Sequence, residues 1–354
     1  METLQATKVT EVAEVKHVTP SKIIEVGLAF MASKTLLTAV NMELFTHLAA
    51  GQLSGQEIQI ELGLNERGLY DFLDTLVALG FLKRSGVKES SKYSNTEETD
   101  FFLDKYKKSY IGGILQMANN RLYGFWNDLE EALKTGLPQN EVKITGKPVF
   151  EELYANDERL REFVNAMSGV QMGNFMAFAH KFDFSGYGTL CDIGGAGALL
   201  SAQVAMNNEH MMCVSYDLLP VSALARENIK NMGLDDRVII QSGDFFEENL
   251  PKADIITMGN ILHDWGLKEK KMLIKKAYNA LPKGGVLVVI ENIIDDNRSK
   301  NAFGLMMSLN MLIETPAGFD YTVADIKGWV KEAGFKETSV MPLTGPSSAF
   351  IAVK

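Results

Sequence analysis

From Gly188 to the end of the chain, short apolar runs alternate with amphipathic helical segments. The runs predict strands at 189–193, 212–216, 238–241, 255–258 and 286–290, and the segments between them predict helices at 198–206, 221–232 and 268–281. A last helix at 323–333 precedes two strands, 337–342 and 349–353, around Gly345-Pro346. Apolar runs that are bounded by turn residues and separated by helices are typical of parallel strands buried on both faces. We therefore predict an α/β fold: a mostly parallel seven-stranded sheet that ends in an antiparallel hairpin.

The residues before this sheet are predicted to be mainly helical. The stretch 21–50 is apolar on more than one face, so it needs partners on several sides, either inside its own domain or on a second chain. Ser54 and Glu57 have the spacing of a capping box at the start of a short helix. A second helix at 65–79 and two short strands at 81–84 and 92–94 complete the order of elements in a winged helix.

The charge of the chain argues against nucleic-acid binding. Its 354 residues include 35 Lys+Arg and 45 Asp+Glu, a formal net charge of −10, whereas phosphate contacts need a basic surface. The predicted recognition helix carries Glu66, Asp71 and Asp74 against Arg67 alone, which disfavours groove reading. We expect a protein that binds no nucleic acid.

Cysteine content and hydropathy predict a cytoplasmic protein. Cys191 and Cys213 are the only cysteines, too few for a disulfide framework or a zinc cluster. The apolar stretch 26–40 is interrupted by polar residues, and the first twenty residues have no apolar core. We therefore expect neither a membrane span nor a secretory signal.

Acidic residues and a histidine follow the predicted strands. In strand order they are Asp192, Asp217, Asp244, His263 with Asp264, and Glu291. An acid in this position often caps the next helix, so a single one would carry little information. Because ligands of doubly wound sheets bind at the carboxyl ends of the strands, five in succession predict a site there.

The loop after the first strand indicates the type of cofactor. Gly194-Gly195-Ala196-Gly197 lacks the third glycine of a dinucleotide fingerprint, and Asp217 follows Gly197 by 20 residues, the distance at which an acid meets a ribose. Asp244 and Phe245 are suited to an adenine, through its exocyclic amine and its ring face. An acid at the start of the loop, Asp192, suits a cationic cofactor better than a pyrophosphate. These residues together favour S-adenosylmethionine.

Two stretches give the chain a resemblance to a known family. Leu262-His263-Asp264-Trp265 and Leu281-Pro282-Lys283-Gly284-Gly285 resemble motifs of the O-methyltransferases that include plant caffeic acid, animal acetylserotonin and bacterial small-molecule enzymes. The resemblance implies a Rossmann-like class I methyltransferase domain at 106–354, with a helical substrate-pocket segment at 106–185. It also implies a winged-helix dimerisation domain at 1–105 and a homodimer.

The resemblance also implies roles for individual residues. Gly194, Asp217, Asp244 and Phe245 would bind S-adenosylmethionine. His263 would be the general base, held by Glu291 and Asp320. Met167 and Met311 would clamp an aromatic acceptor, with Met117 and Trp126 as further candidates. The departures from the family pattern are Ala196, Ala198, Gly259, Asp320 and Tyr321, where family members carry glycine, glycine, lysine, glutamate and arginine.

These expectations combine into an S-adenosylmethionine-dependent O-methyltransferase acting on a small hydroxylated aromatic. A positioned imidazole can take the proton of a phenol, whose pKa is about 10, as the methyl group arrives. No metal is expected, because the other histidines are scattered at positions 17, 47, 180 and 210. Two alternatives remain open: a cofactor-binding relative that catalyses hydroxylation, decarboxylation or cyclisation, and a winged-helix regulator. The sequence leaves the acceptor and its reacting atom open.

Overall fold

The computed structural model describes residues 18–146 and 156–354. The half before the sheet is mainly helical. Its helices are α1 (Ser21–Asn41), α2 (Leu44–His47), α3 (Gly55–Leu62), α4 (Glu66–Ala78), α5 (Glu97–Leu103), α6 (Gly112–Met117), α7 (Tyr123–Phe125), α8 (Leu129–Thr135), α9 (Glu141–Thr145) and α10 (Asp157–Lys181). Its three short strands are β1 (Leu53–Ser54), β2 (Leu82–Ser85) and β3 (Lys92–Asn95), paired antiparallel in the order β1-β3-β2.

The second half alternates strands and helices as the apolar runs predict. The strands are β4 (Thr189–Ile193), β5 (Met212–Asp217), β6 (Val238–Ser242), β7 (Ile255–Gly259), β8 (Val286–Glu291), β9 (Glu337–Pro342) and β10 (Ser348–Val353). The helices are α11 (Leu199–Asn207), α12 (Leu219–Asn231), α13 (Leu267–Ala280), α14 (Ala302–Glu314) and α15 (Val323–Ala333). The sheet order is β6-β5-β4-β7-β8-β10-β9, parallel from β6 to β8 and antiparallel in the last two strands. The predicted fold class is confirmed.

The winged-helix layout is present in the first half. Ser54 caps α3 with a capping box, since its hydroxyl accepts from Glu57 N and the Glu57 carboxylate accepts from Ser54 N. Helix α4 packs an apolar face into the core that also holds the buried ring of Tyr93 on β3. The Tyr93 hydroxyl donates to Asp74, which also pairs with Arg84. The acid of the would-be recognition helix is therefore engaged inside the domain.

The long first helix that the sequence predicts over 21–50 is two helices. Helix α1 ends at Asn41, and Glu43 lies in the left-handed region with φ of +56°. The Glu43 carboxylate binds Lys105 Nζ, which ties this turn to the residues after α5. The turn redirects the chain, so that Leu44 and Phe45 of α2 are completely buried.

Helix α1 is apolar and mostly uncovered. Its length and a mean hydropathy of 1.6 match those of a helix that crosses a bilayer, although these two properties alone are weak evidence for a span. Polar contacts attach α1 to the rest of the protein: Lys34 Nζ donates to Asn119 at 2.7 Å, and the Tyr123 hydroxyl donates to Phe30 O at 3.2 Å. The prediction of no secretory signal rests on the first twenty residues. Of these, residues 1–17 lie outside the described part of the chain.

Candidate active site

The carboxyl ends of the central parallel strands meet at one edge of the sheet. Ile193 on β4 lies beside Tyr216 on β5, Asp217 lies beside Ser242 on β6, and Gly259 on β7 lies beside Ile290 on β8. The glycine loop, Asp217, the turn that carries His263, and Glu291 therefore converge on one region, as the strand-end pattern predicts.

Two glycines in the loop after β4 occupy positions that exclude a side chain. Gly194 has φ of +69° and donates to Tyr216 O at 2.8 Å, and a Cβ here would lie 2.2 Å from Ile261 Cδ1. A Cβ on Gly195 would lie 2.2 Å from Ser215 Oγ. The close approach of this backbone to the sheet leaves room above the loop for a ligand.

The two alanines at family glycine positions keep the glycine-like backbone. Ala196 has φ of +44° and Ala198 has φ of +62°, a region that costs an L-residue about 1–2 kcal/mol. Ala196 N donates to Asp217 Oδ2 at 2.8 Å, and Ala198 N donates to Gly195 O at 2.7 Å. The loop thus keeps its left-handed backbone at both positions despite the substitutions.

Asp217 lies at the end of β5 against this loop. Its two oxygens each accept one backbone N–H, from Ala196 at 2.8 Å and from Leu218 at 2.7 Å. Burial raises the pKa of its carboxyl, and the two backbone hydrogen bonds oppose that shift. A carboxylate has about four acceptor sites, so Asp217 can still accept from the hydroxyls of a ribose.

Asp244 and Phe245 follow β6 at the same edge and are half-buried. The Asp244 side chain accepts from Phe246 N at 2.7 Å. The ring of Phe245 packs against Phe246, with centroids 4.7 Å apart. Lys276 Nζ on α13 donates to the carbonyls of Phe245 and Phe246, so this loop is anchored to the helix behind it.

The same edge contains a buried polar atom that lacks a hydrogen-bond partner. Asn260 follows β7 with φ of +52°, and its Oδ1 is buried and unpaired. A buried acceptor without a partner needs an explanation, and a polar ligand is one. With the open glycine loop and the free lone pairs of Asp217, this edge fits a nucleoside cofactor.

His263 lies in the short helical turn Leu262–Asp264 after β7 and is 6% exposed. Its ring lies between two carboxylates: Nδ1 is 3.4 Å from Asp320 Oδ1, and Nε2 is 3.5 Å from Asp264 Oδ1. The His263 carbonyl accepts from Phe319 N at 2.8 Å, which fixes the loop that carries Asp320.

Glu291 contacts the backbone of His263. Its Oε1 accepts from His263 N at 3.1 Å, and its Oε2 is buried without a hydrogen bond. The hydroxyl of the buried Tyr321 is also unpaired, and burial together with Glu291 raises its pKa well above the ordinary value. The resemblance implies that Glu291 and Asp320 both hold His263. In the structure, the Asp320 carboxylate lies beside the imidazole ring, whereas the Glu291 carboxylate binds the backbone N–H of His263.

The electrostatics of this cluster are dominated by burial and by its carboxylates. Burial lowers the pKa of His263, but the negative charges of Asp264, Asp320 and Glu291 outweigh it and raise that pKa to about 10. Burial raises the pKa of Asp264 to about 6, against the opposing effect of His263. Burial also raises the pKa of Glu291. The histidine is therefore strongly basic in this arrangement.

The predicted acceptor residues Met167 and Met311 lie on two different helices. Met311 is buried on α14, which packs against the turn that carries His263, and Met167 is half-buried on α10. Met117 lines a cavity of about 1150 Å³ together with Met172 and Met176 of α10. The Trp126 indole N–H donates to Asn310 Oδ1 on α14 at 3.0 Å, so Trp126 joins the pocket segment to the catalytic domain.

Sequence reasoning missed one charged residue of the cluster, Lys270, and gave Asp264 no role beside the histidine ring. Asp264 is adjacent to His263 in the chain, and only the turn brings its carboxylate to Nε2. Lys270 is completely buried, and a signal for this was present: it lies three, four and seven residues before Leu273, Ile274 and Ala277, on the apolar face of α13. Within the described residues, no group of His, Cys, Asp and Glu could hold a metal ion.

The fold and the edge site together define a class I methyltransferase. Residues 126–336 match the O-methyltransferase domain family, and residues 24–105 match the O-methyltransferase dimerisation domain. The chain belongs to the O-methyltransferase family, an assignment that confirms the resemblance and the expectation of an enzyme with S-adenosylmethionine as cofactor.

One relative supports this assignment by sequence, and two solved structures share the fold. The chain is 36% identical over 335 residues to the tetracenomycin polyketide synthesis 8-O-methyl transferase TcmO of Streptomyces glaucescens, covering 95% of this chain and 97% of that protein. Human N-acetylserotonin methyltransferase, solved in complex with S-adenosylmethionine, has a TM-score of 0.88 at 24% identity, covering 97% and 99% of the two chains. NcsB1 from neocarzinostatin biosynthesis, solved with S-adenosylmethionine and 2-hydroxy-5-methyl naphthoic acid, has a TM-score of 0.74 at 24% identity, covering 96% and 99%.

Proposed function

We propose that this chain methylates a hydroxyl group of a small aromatic acceptor, with His263 as the general base. The observation that carries the proposal is the position of His263: in a chain of the O-methyltransferase family, its ring lies between Asp264 and Asp320, at the sheet edge that also carries the glycine loop and Asp217. A histidine flanked by carboxylates is oriented, and its protonated form is stabilised.

Cofactor binding is assigned to Gly194, Asp217, Asp244 and Phe245. Gly194 gives close backbone approach, Asp217 accepts from the ribose hydroxyls, and Asp244 with the Phe245 ring contacts the adenine. When bound, S-adenosylmethionine supplies a methyl group that is made electrophilic by a sulfonium. The protein's part is to hold the acceptor oxygen in line with that methyl group, which in well-oriented systems contributes several kcal/mol.

The raised basicity of His263 suits the proton transfer. The carboxylates raise the pKa of His263 to about 10, so the ring is basic enough to take the proton of a phenol, whose own pKa is about 10. Only the neutral imidazole accepts a proton, and the positive charge of a bound sulfonium would favour that form.

The acceptor class follows from the surroundings and from the relatives. Met167 and Met311 are assigned to its aromatic faces, because thioether sulfur packs well against rings. The ligand of NcsB1 is an aromatic hydroxy acid, and TcmO is named for methylation of a polyketide. A hydroxylated naphthoic acid is therefore the first acceptor to test.

We also assign the assembly and the location. The dimerisation domain at 24–105 and the uncovered apolar face of α1 support a homodimer formed through the first domain, with the domain boundary near 105. Two free buried cysteines support a reducing cytoplasm. Because the chain is acidic and the would-be recognition helix exposes Glu66 and Asp71, neither a nucleic acid nor a membrane is assigned as a partner.

Calorimetric titration with S-adenosylmethionine and S-adenosylhomocysteine tests the cofactor site. We expect wild type to bind both, and Asp217→Ala to weaken binding about 10- to 100-fold, the effect of losing a hydrogen bond to a charged group. Asp236→Ala, at an exposed acid on the loop before β6, is the matched control and should bind as wild type. Equal affinity of both variants would contradict the assignment of Asp217.

Transfer of a labelled methyl group tests the reaction itself. With 2-hydroxy-5-methyl naphthoic acid and related phenols, we expect label in the acceptor, lost by about 10²- to 10⁴-fold in His263→Ala while cofactor affinity stays unchanged. An acceptor that is modified without label would instead favour the non-methylating alternative. Full activity in His263→Ala would remove the general-base assignment.

A further inference from the structure

Lys270 is a buried cation that the proposed reaction does not use. Its relative exposure is 0%, yet the ammonium has no carboxylate within ion-pair distance in the described chain. Its Nζ donates to the carbonyl of Trp265 and lies 3.7 Å from the centroid of the Phe319 ring. A buried lysine without a direct counter-ion is costly, so its position needs a reason.

The contacts of Lys270 place it behind the His263 cluster. Trp265 directly follows Asp264, and Phe319 directly precedes Asp320, so the ammonium touches the chain neighbours of both carboxylates that face the histidine ring. The Tyr321 ring centroid is 5.6 Å from Nζ on the same side. Aromatic faces stabilise a cation but cannot neutralise it, so its field acts on the carboxylates nearby.

The charged groups around Lys270 come from every element packed against it. They are Glu269 on the same helix, Asp264 on the turn after β7, Glu291 at the end of β8, and Asp320 on the loop before α15. Burial lowers the pKa of Lys270 to about 8, and the negative charges of these four groups oppose that shift. Asp264 in turn faces His263, Asp320, Lys270 and Glu314: its pKa is raised by burial and by the acids, and lowered by His263 and Lys270.

We propose that Lys270 is a positioning residue, whose ammonium keeps Asp264 ionised beside His263 at neutral pH. Three buried carboxylates repel one another, and a single imidazolium offsets only part of that repulsion. Lys270 supplies the second positive charge from a place where it blocks neither the ring nor the acceptor. This role for Lys270 rests on the proposed function of His263 as the base, but the titration that tests it does not require an active enzyme.

The test follows the titration of Asp264 in Lys270→Met. Protein labelled with ¹³C at the aspartate carboxyl carbons is titrated by NMR, and the Asp264 signal is the one absent from Asp264→Asn. We expect the apparent pKa of Asp264 to rise by about 1 unit, because an opposite charge has been removed. Because the wild-type pKa of Asp264 is about 6, a rise of about 1 unit lowers the ionised fraction of Asp264 at pH 6.5 about threefold.

Two further variants separate charge from packing. Lys268→Met removes an exposed lysine from the same helix and should leave the Asp264 titration unchanged. Lys270→Arg keeps the charge and should hold the Asp264 pKa near its wild-type value, if the larger group is accepted in the fold. Because Met replaces a buried charge with an apolar side chain of similar length, Lys270→Met is expected to fold.

Kinetics give an independent readout. The acidic limb of kcat/KM against pH reports the deprotonation of His263, and it should move to higher pH in Lys270→Met, because Asp264 and His263 both lose a nearby positive charge. An Asp264 titration that is the same in Lys270→Met and wild type would overturn the proposal, even with activity reduced, because the lysine would then act through packing alone. Absence of methyl transfer in wild type would instead contradict the proposed function, and the NMR result would still decide the role of Lys270.

Discussion

At the scale of single residues, backbone conformation sets the cofactor site. Gly194 combines φ of +69° with a Cβ position only 2.2 Å from Ile261 Cδ1, so a side chain here would strain the backbone and displace either the Ile261 side chain or the loop. We expect Gly194→Ala to abolish measurable binding of S-adenosylhomocysteine by calorimetry and to leave the folded protein otherwise intact. Gly186→Ala, with open space around its Cβ and no left-handed backbone, is the control. Binding retained in Gly194→Ala would show that the loop can move away from Ile261.

The residues of the site differ in how far the sequence could predict them. Asp217 and His263 were predictable because each lies at the carboxyl end of a strand or a few residues past it, and parallel strands deliver their carboxyl ends to one edge. The carboxylate of Asp264 reaches His263 Nε2 through a turn geometry that no spacing encodes. Lys270 lies on the apolar face of a lysine-rich helix, so its burial was predictable, but its contact with Phe319 from a distant loop was not.

At the scale of elements, the strands were predictable and helix α14 was not. Strands β4 to β8 are apolar runs with clear turn residues at both ends. Residues 302–314 are apolar without a helical period, and the helix is held by contacts from far along the chain, such as Trp126 with Asn310. The break between α1 and α2 was equally hidden, since only Lys105, 62 residues away, binds the carboxylate of Glu43 at that turn.

An ion-pair network joins the pocket segment to α14. Arg121 lies in a π-helical turn and donates to Glu314 Oε2 at 2.7 Å and to Glu141 Oε2 at 2.6 Å. The side chain of Arg121 is 15% exposed and that of Glu314 is 10% exposed. The pair therefore lies largely away from water, where removal of one partner leaves the other charge uncompensated.

We expect Arg121→Met to lower the free energy of unfolding by about 3 kcal/mol, because Glu314 then stays buried without its partner. Urea unfolding measures this. Arg161→Met, which breaks an exposed pair with Glu227, should cost less than about 1 kcal/mol. Equal losses in the two variants would mean that the Arg121 network contributes no more than a surface pair does.

At the scale of the whole molecule, the uncovered face of α1 is the largest feature that one chain leaves unexplained. Exposed apolar side chains along it are Ile23, Ile24, Val26, Leu28, Phe30 and Met31. Several exposed apolar side chains on one helix indicate an interaction surface. The match to the dimerisation domain over 24–105 includes all of these residues except Ile23. We therefore expect a second copy of the chain to cover this face of α1.

We therefore expect wild type to sediment with twice the mass of one chain, and the double variant Val26→Asp/Phe30→Asp with the mass of a single chain. Val26 and Phe30 are one helical turn apart, so both carboxylates would enter the same apolar contact, where burying an unpaired charge is costly. Ile60→Asp is the control, because Ile60 is 81% exposed on α3 and its change adds the same charge away from this face. If all three proteins sediment alike as dimers, the interface lies elsewhere. If wild type is a monomer at micromolar concentration, the exposed face of α1 has another partner, and the acceptor pocket is built from one chain alone.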